Sequence, residues 1–342
     1  MKENPDQLAL AAEVARLRVE AKLSIEEIAE KLSVAKGTVS NLLALARQRG
    51  IYCQVVLPPP DRLIPLRNEL LGRFSHLRDV ELIPGRPEIL DPGFPGDNPV
   101  HLSMKRAIYY LTVRKAAEYI DRHLPKNAVV CLAWGETVET LTRFMRPARS
   151  RPDVTIVPMM GVLSYQMDEL ESNSLVKVMA RLYRTEQYYC LPVPAIVRDK
   201  QHKEIVLQLP VVQKVIERMQ AANYVVTSLA APNAEHSTLV SRGLLEAEDV
   251  EQMSGRDAVG EIAALWFDRL GCPIVDESIQ PIGLGLQDLQ RIVTQRLPGT
   301  VLAIVAADVD RIDPLLAAIQ GRIINVLVTD HVTAEELLRR AG

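Results

Sequence analysis

The sequence predicts an α/β protein in which a helix-turn-helix domain precedes a larger domain built on a parallel sheet. Two patterns carry this prediction. Between Ser24 and Arg49, apolar residues recur at helical spacing in two short stretches that are interrupted at Ser33-Val34. From residue 128 onward, short apolar runs alternate with helical patterns, as is typical of a parallel sheet covered by helices on both faces. The length of 342 residues also favours two domains over one.

The N-terminal stretch is expected to form two amphipathic helices joined by a tight turn. Ser24 suits the N-cap of the first helix, and Glu27 follows three residues later, as a capping box requires. A preceding helix over 7–22 would complete a small core. The apolar positions expected to face this core are Ile25, Ile28, Leu32, Val39, Leu42, Leu43 and Ala46. Such a pair of helices can place its second helix in the major groove of DNA, although helical hairpins also occur in all-α domains that do not bind DNA.

The second helix carries polar side chains on the side away from its apolar stripe. The candidates for DNA contact are Lys36, Thr38, Ser40, Asn41 and Arg47. An asparagine can pair with adenine through two hydrogen bonds, which suits Asn41, whereas Lys36 and Arg47 are expected to hold phosphates. The alternative for Thr38 and Ser40 is simple solvation on a helix surface.

A run of prolines separates the two domains. Residues 51–57 alternate between apolar and polar and predict a short strand, which could form a wing beside the helices. Pro58-Pro59-Pro60 then stiffens the chain. We therefore expect a helix-turn-helix domain with a short wing over 1–57 and a second domain over 58–342.

The charge of the chain provides little general attraction for nucleic acid. It contains 40 Lys and Arg against 43 Asp and Glu, a net charge of −3. Within the first 56 residues, eight Lys and Arg stand against seven Asp and Glu, which gives +1. DNA binding would therefore depend on the local placement of a few cations and on an oligomer that multiplies weak sites.

Cysteine spacing and hydropathy exclude several other classes of protein. The four cysteines are far apart and form no Cys-x-x-Cys pair, so we expect reduced thiols without disulfides or zinc. No apolar run approaches the roughly 18–20 residues of a membrane span, and the polar N-terminus has no signal segment. The composition, 48% hydrophobic and 24% charged, is that of a globular protein. We expect a cytoplasmic protein with no metal, cofactor or membrane partner.

The second domain is predicted to alternate strands and helices. Residues 84–99 contain five prolines and three glycines and are expected to form a loop. The predicted strands are 79–83, 128–133, 154–159, 188–193, 224–229, 301–306 and 326–329. The predicted helices are 62–74, 101–123, 137–145, 174–184, 211–221, 313–320 and 334–340. In sheets of this kind, ligands bind at the carboxyl ends of the strands.

Small and polar residues recur at the predicted strand ends. Small side chains let a ligand approach the backbone, and a helix that follows a strand offers free N–H groups. Each position alone is more simply a strand-to-helix turn, but their recurrence favours one shared pocket. The candidates for ligand contact are Gly135, Thr137, Gly161, Glu261, Arg311 and Asp330. The alternative for Asp330 is a cap on the last helix, and for Glu261 it is an ion pair with a nearby arginine.

Several sequence landmarks follow one another along the larger domain. They are AWGET at 133–137, Asn173, LPVPAIV at 191–197, DAVGEI at 257–262, WFDRLGCPI at 266–274 and NVLVTDHVTAEELL at 325–338. In their order and spacing they resemble the SorC family of bacterial sugar-binding transcriptional regulators, and the resemblance runs over nearly the full chain. The N-terminal part looks like the family's helix-turn-helix, which ends in a strand that reads Gly50-Ile51-Tyr52 here. The resemblance implies that the larger domain is similar in fold to sugar-phosphate isomerases, binds a sugar-type effector and assembles into a tetramer.

The chain departs from the family pattern where a phosphate would bind. The family commonly has Ala-Gly-Gly followed by a lysine, whereas residues 306–311 read AADVDR here. Arg311 keeps a cation, while Asp308 and Asp310 add negative charge. Residues 228–230 and Met160 also stand where the family has glycines. Because glycine loops bring backbone N–H groups onto a phosphate, both a sugar phosphate and a neutral sugar or polyol stay open as the effector.

Together these features predict a transcriptional regulator of a carbohydrate or polyol catabolic operon. A small hydroxylated metabolite in the second domain would control the affinity of the first domain for operator DNA. A symmetric operator needs at least a dimer, since one helix reads one half-site. The alternative is a sugar-phosphate isomerase or deaminase fused to a DNA-binding module. The two histidines near predicted strand ends, His236 and His331, form no recognisable acid–base pair, so we expect no catalytic residues.

Overall fold

In the computed structural model, helices and strands alternate along the chain, and the predicted α/β class is confirmed. The structure describes residues 10–11, 13–15, 17–18, 23–48, 60–87, 99–162, 171–295, 299–306 and 308–342. Its helices include α1 (Ile25–Leu32), α2 (Lys36–Gln48), α3 (Pro60–Arg73), α4 (Pro99–His123), α5 (Glu136–Phe144), α6 (Ser172–Tyr183), α7 (Lys200–Leu207), α8 (Pro210–Gln220), α9 (Thr238–Ser241), α10 (Ala247–Gly255), α11 (Leu286–Thr294), α12 (Ile312–Gln320) and α13 (His331–Ala341). Its strands include β1 (Asp79–Ile83), β2 (Val129–Leu132), β3 (Thr155–Pro158), β4 (Ile196–Val197), β5 (Tyr224–Thr227), β6 (Gly260–Ile262), β7 (Leu265–Phe267), β8 (Pro273–Ile274), β9 (Gln280–Pro281), β10 (Thr300–Ile304) and β11 (Val326–Asp330).

Six of these strands form one parallel sheet in the order β1-β11-β10-β5-β2-β3. Every residue of β5, β10 and β11 is buried. Their sequences, YVVT, TVLAI and VLVTD, are mostly apolar and β-branched, as strands covered on both faces require. Because the strands are parallel, their carboxyl ends meet at one edge of the sheet, where ligands bind in open α/β folds.

Two small antiparallel sheets lie outside the predicted set of elements. β6, β7 and β8 form a three-stranded hairpin sheet in which Glu261 lies opposite Trp266, and β4 pairs with β9. Ala230, just after β5, bridges to Glu261, so the hairpin is attached at the carboxyl end of β5. Strands of two or three residues are too short for hydrophobic alternation to reveal them.

The capping box at the start of α1 is confirmed. The hydroxyl of Ser24 accepts a hydrogen bond from the Glu27 N–H at 3.1 Å, and the Glu27 carboxylate accepts one from the Ser24 N–H at 2.7 Å. Two free backbone donors of the first turn are thereby satisfied. The helix after it turns its apolar stripe inward, and the buried residues of this small core are Ala11, Val14, Ala15, Leu17, Ile28, Ala29, Val39, Leu42, Leu43 and Ala46.

Several N-terminal predictions fall on residues that the structure does not describe. The predicted helix over 7–22 is helical at each described position between 10 and 18. Gly50, the predicted wing over 51–57 and the proposed boundary at residue 58 lie outside the described residues. Among the described residues, no helix has both the length and the hydropathy that are needed to cross a bilayer.

The predicted strand over 188–193 is wrong. Its first residue makes a single bridge to β3, and the chain then leaves the sheet. Pro192 and Pro194 have no N–H for a neighbouring strand. Instead, the Leu191 N–H donates to Asn173 Oδ1 at 2.9 Å, and the Leu191 carbonyl oxygen accepts from Asn173 Nδ2 at 3.2 Å. The other predicted strands and helices of this domain agree with the structure to within three residues at each end.

The sequence analysis also does not predict α7, α9, α10 and α11. In α7, none of the residues of Lys200–Leu207 is buried, and Val206 and Leu207 pack only partly against the core. An exposed helix of eight residues therefore leaves little periodicity to detect.

Candidate functional site

A pocket of about 150 Å³ lies at the carboxyl ends of the sheet, beside the β6–β7 hairpin. We call it the strand-end pocket. It opens where the fold class predicts a ligand. Its walls are formed by Tyr109, Ala133, Trp134, Gly135, Glu136, Thr137, Thr227, Ser228, Leu229, Ala230, Ala231, His236, Ser237, Thr238, Val250, Glu261, Ala263, Trp266 and Arg311.

Four of the six candidates for ligand contact come together in this pocket. They are Gly135, Thr137, Glu261 and Arg311. The other two, Gly161 and Asp330, are not part of its lining. The geometry thus brings four residues from three distant parts of the chain into one site, and the ligand contacts themselves stay predictions.

The first wall of the pocket is the start of α5. Gly135 is the N-cap of this helix and has φ 108°, a conformation that favours glycine, and no side chain caps the helix there. The first-turn N–H groups have no partner within the helix, and the helix dipole favours an electronegative atom near them. Thr137 adds a hydroxyl to the same wall. This wall is therefore rich in hydrogen-bond donors.

Glu261 contributes a carboxyl group whose ionisation is shifted by its surroundings. Burial raises the pKa of Glu261 to about 7, while the hydrogen bond from the Ala264 N–H and the charge of Arg311 act in the opposite direction. The Ala264 N–H donates to Glu261 Oε2 at 3.0 Å and holds the carboxyl group against the hairpin. Near neutral pH the group is present in both protonated and ionised forms, so it can donate as well as accept hydrogen bonds.

Replacing Glu261 by Gln is expected to remove a pH dependence of stability. Because the pKa is raised from 4.5 to about 7 in the folded protein, folding takes up a proton between these values, and stability falls as pH rises through this window. The loss from Glu261 amounts to about 1–3 kcal/mol. The difference in melting temperature between pH 5 and pH 8 should therefore be smaller in Glu261→Gln than in the wild type. The exposed Glu251→Gln is the matched control, and equal pH slopes in all three proteins would contradict the assignment.

Arg311 provides the cation of the strand-end pocket. Its Nε donates to Asp308 Oδ2 at 3.2 Å, and its Nη1 donates to the Ser228 hydroxyl at 3.3 Å. The Ser228 hydroxyl in turn donates to the carbonyl oxygen of Ile304 at 2.9 Å. The guanidinium is thus positioned by groups from the ends of two neighbouring strands, and the Asp308 carboxylate balances its charge.

The structure adds pocket residues that sequence reasoning did not include among the candidates. They are Tyr109, Trp134, Ser228, His236 and Trp266. Ser228 and Trp134 stand at predicted strand ends, so the same argument that selects Gly135 could have selected them. Tyr109 comes from α4 and Trp266 from the unpredicted hairpin, and no local sequence signal places either at the sheet edge.

Asp330 acts as a buried cap of α13. Its Oδ1 accepts from the N–H groups of Val332 and Thr333, both at 3.0 Å, and its Oδ2 accepts from the Thr333 hydroxyl at 2.6 Å. The residue is 1% exposed. These contacts agree with the alternative in which Asp330 caps the final helix.

We expect Asp330→Ala to destabilise the protein by about 2–3 kcal/mol, because buried donors at the start of α13 lose their acceptor. Urea denaturation followed by circular dichroism would measure the loss. Asp199→Ala is the matched control, since Asp199 caps α7 at an exposed position with a hydrogen bond of 2.6 Å from the Gln201 N–H. Asp199→Ala should lower the free energy of unfolding by less than about 1 kcal/mol. Equal losses in the two variants would show that burial of the Asp330 cap has no energetic effect.

Gly161 is required by close backbone packing. A Cβ atom at this position would collide with the carbonyl oxygen of Val193. The neighbouring Val162 exchanges backbone hydrogen bonds of 2.7 Å with Val193 and Ala195, which draws the two segments together. The packing alone accounts for a glycine here.

The polar residues of α2 form one exposed face. Lys36, Thr38, Ser40 and Asn41 are all exposed, opposite the buried stripe of the same helix. Lys36 Nζ lies 3.0 Å from Glu26 Oε1, and both side chains are mostly exposed, so exchanging this ion pair for a phosphate costs little. The Arg47 side chain lies outside the described part of the chain. Within the described residues this face is exposed to solvent, and its DNA contacts stay predictions.

Across the described residues, no three His, Cys, Asp or Glu side chains are grouped so that they could hold a metal ion. The thiols of Cys131, Cys190 and Cys272 are free.

Comparisons with known proteins match this architecture over most of the chain. A family model described as "Putative sugar-binding domain" matches residues 103–339. The deoxyribonucleoside regulator of Bacillus subtilis (strain 168) is 26% identical over 332 residues, which cover 96% of this chain and 97% of that protein. The transcriptional regulator LsrR of Enterobacter sp. (strain 638) is 25% identical over 342 residues, which cover 97% and 94%.

Solved structures of similar proteins share the fold. The full-length sorbitol operon regulator SorC from Klebsiella pneumoniae superposes with a TM-score of 0.65 at 20% identity and covers 98% of this chain and 100% of that one. A DeoR family transcriptional regulator from Listeria monocytogenes gives a TM-score of 0.67 at 22% identity and covers 81% and 99%. At these identities the likeness establishes the fold alone.

Proposed function

Because the chain belongs to the SorC-type family of regulators that carry this sugar-binding domain, we propose that it is a DNA-binding transcriptional regulator of a carbohydrate or polyol catabolic operon. The exposed face of α2 binds operator DNA, and a small hydroxylated metabolite in the strand-end pocket sets the operator affinity. The observation that carries the proposal is the convergence of Thr137, Ser228, Glu261 and Arg311 on one pocket at the strand ends. The names of the matched relatives, which are regulators, support the same role.

The charges around the pocket favour an uncharged effector over a sugar phosphate. Arg311 is the one Arg or Lys in the described lining, and Asp308 already balances it. Glu136 and Glu261 add two carboxyl groups to the wall. A phosphate would therefore meet no unbalanced cation, and it would lie close to carboxylates of the same sign.

The hydrogen-bonding groups of the pocket suit a sugar or polyol. The Thr137 hydroxyl can donate and accept, and so can the partly protonated carboxyl group of Glu261. The Ser228 hydroxyl can accept, since its proton is already donated to the Ile304 carbonyl oxygen. An oxygen-rich ligand supplies both donors and acceptors of the kind that such groups bind.

A thermal-shift screen with neutral sugars, polyols and their phosphates tests the pocket and the class of effector. Stabilisation follows the ratio of ligand concentration to Kd and reaches about 2.7 kcal/mol at 100 times Kd. We expect one or more neutral compounds to raise the melting temperature and their phosphates to have a smaller effect. If only phosphates stabilise the protein, the proposal of an uncharged effector is wrong, while the proposed regulatory role stands. If no compound stabilises the protein, the assignment of the strand-end pocket as a sugar-binding site is wrong.

We propose that the active form is a tetramer that works in the cytoplasm, where operator DNA is found. One recognition helix reads one half-site, so a symmetric operator requires at least two copies of α2. The family resemblance extends this to a tetramer. Multi-angle light scattering of the full chain, with and without operator, measures the assembly directly, and a monomer on operator DNA would contradict the proposal.

One observation favours acid–base catalysis as a second candidate function. Glu261, with a pKa of about 7, and His236 line the same pocket, and such groups can move protons on a bound sugar. His331 is unsuited to this role because it is buried and its Nδ1 accepts from the Gly85 N–H at 2.7 Å. We propose binding without turnover, in line with relatives that are named regulators. Steady conversion of a sugar phosphate by the wild type, lost in Glu261→Gln, would reverse this assignment.

A further inference from the structure

A second and larger cavity adjoins the strand-end pocket. Its volume is about 430 Å³, within the range of about 300–1,000 Å³ that is typical of small-molecule sites. We call it the hairpin cavity. This cavity is partly open to solvent. It is lined by Lys203 of α7, Trp266 of β7, residues 273–276 and 279–281 around β8 and β9, residues 283–288 at the start of α11, and Met253, Ala264 and Leu265. Trp266, which is 3% exposed, also belongs to the lining of the strand-end pocket.

The two carboxylates in the wall of the hairpin cavity already have partners. Asp276 forms an ion pair with Arg256 at 2.9 Å. Asp288 accepts from the Gly285 N–H at 2.9 Å and forms an ion pair with Arg291 at 3.1 Å. Their negative charges are thus balanced within the protein, and neither carboxylate attracts a cationic ligand strongly.

Lys203 is the unbalanced charge of this cavity. No ion pair or hydrogen bond of its ammonium group is found within the described part of the protein. Burial lowers the pKa of Lys203, as expected for an ammonium group that lacks a nearby anion. The first turn of α11, a nine-residue helix, forms another wall, and the Asp288 carboxylate already caps this helix end.

The remaining lining mixes apolar and polar groups in nearly equal proportion. Its apolar side chains include Met253, Leu265, Ile274, Val275, Ile279, Leu284 and Leu286. This apolar part of the surface gains free energy when it covers a hydrocarbon ring. The lining thus combines one cationic group with a partly apolar surface.

We propose that the hairpin cavity is a second ligand site, which binds a small organic anion with an apolar body. The acidic group of the ligand lies at Lys203, and its body lies against Trp266 and the aliphatic side chains. This assignment is independent of the proposed regulatory function, since it uses residues outside α2 and, apart from Trp266, outside the strand-end pocket.

A single-tryptophan protein gives a direct test. The chain has two tryptophans, so Trp134→Phe leaves Trp266 as the one indole reporter. The full-length variant is titrated with cyclohexanecarboxylate, with the neutral cyclohexylmethanol and with the cationic cyclohexylmethylamine while Trp266 fluorescence is recorded. We expect a saturable change with the carboxylate, and at least tenfold weaker responses to the alcohol and the amine.

Two substitutions in this background locate the anion. Lys203→Met is expected to weaken carboxylate binding by about tenfold, which is the usual effect of losing a charge-assisted hydrogen bond. Lys200→Met is the matched control, because Lys200 lies on the same helix but outside the cavity lining. The carboxylate affinity of this variant should equal that of the Trp134→Phe parent. Arg311→Met distinguishes the two cavities, since it changes the strand-end pocket alone.

Four outcomes would overturn the proposal. The first is an unchanged carboxylate affinity in Lys203→Met, and the second is equal binding of the alcohol and the carboxylate. The third is a fluorescence response that is lost in Arg311→Met but kept in Lys203→Met. The fourth is a titration that does not saturate up to about 10 mM carboxylate, because such binding is too weak for a built site. The third outcome would place the anion in the strand-end pocket.

Discussion

Asn41→Ala is expected to lower operator affinity by at least about tenfold. A bidentate asparagine–adenine contact contributes about 1–3 kcal/mol for each half-site, and a symmetric oligomer presents two half-sites. Asn41 is exposed on α2, so its loss should leave the helix-turn-helix core intact. Fluorescence anisotropy with a duplex that the wild-type protein selects from a random library gives both affinities, provided that the salt concentration is the same.

The matched control for this substitution is Asn68→Ala. Asn68 is also exposed and helical, but it lies on α3, outside the helix-turn-helix. Operator affinity should be unchanged in this variant, and both variants should melt at the wild-type temperature. An unchanged operator affinity in Asn41→Ala would remove Asn41 from the proposed DNA contacts.

Arg311→Met is expected to weaken effector binding by about ten- to a hundredfold while operator binding without effector stays at the wild-type level. Hydrogen bonds from a charged group typically contribute about 1.5–3 kcal/mol, and Arg311 is the one Arg or Lys in the described lining of the strand-end pocket. Isothermal titration with the neutral compound that most stabilises the wild type measures the loss.

Arg114→Met is the matched control for Arg311→Met. Arg114 forms an exposed ion pair with Glu118 at 3.7 Å on α4, and exposed pairs of this kind contribute little to stability. Effector affinity should be unaffected in this variant. Equal effector affinities in Arg311→Met and the wild type would place the effector elsewhere.

The parallel sheet is largely predictable from the sequence because its strands are buried on both faces. β5 and β10 read as short uninterrupted apolar runs, and their buried positions leave few alternatives to a strand. The prediction fails where hydrogen bonding rather than hydropathy decides the structure. The run from Tyr188 is apolar enough for a strand, but the side chain of Asn173 takes the backbone groups of Leu191.

The candidate site is predictable only in part. Gly135, Thr137, Glu261 and Arg311 share the pocket because parallel strands bring their carboxyl ends to one edge. Gly161 satisfies the same sequence criterion, yet its lack of a side chain serves close packing with Val193. A strand-end glycine or aspartate therefore has three physical uses (ligand approach, backbone packing and helix capping), and only the folded structure separates them.

The most direct test of the account compares the operator affinity of the wild type and of Arg311→Met, each with and without the stabilising sugar or polyol. A ligand that controls binding through two conformational states changes operator affinity by about 5–150-fold. We expect such a change in the wild type at saturating ligand, and a much smaller change in Arg311→Met at the same concentration. An operator Kd of the wild type that stays the same with and without saturating ligand would contradict the claim that the strand-end pocket controls DNA binding.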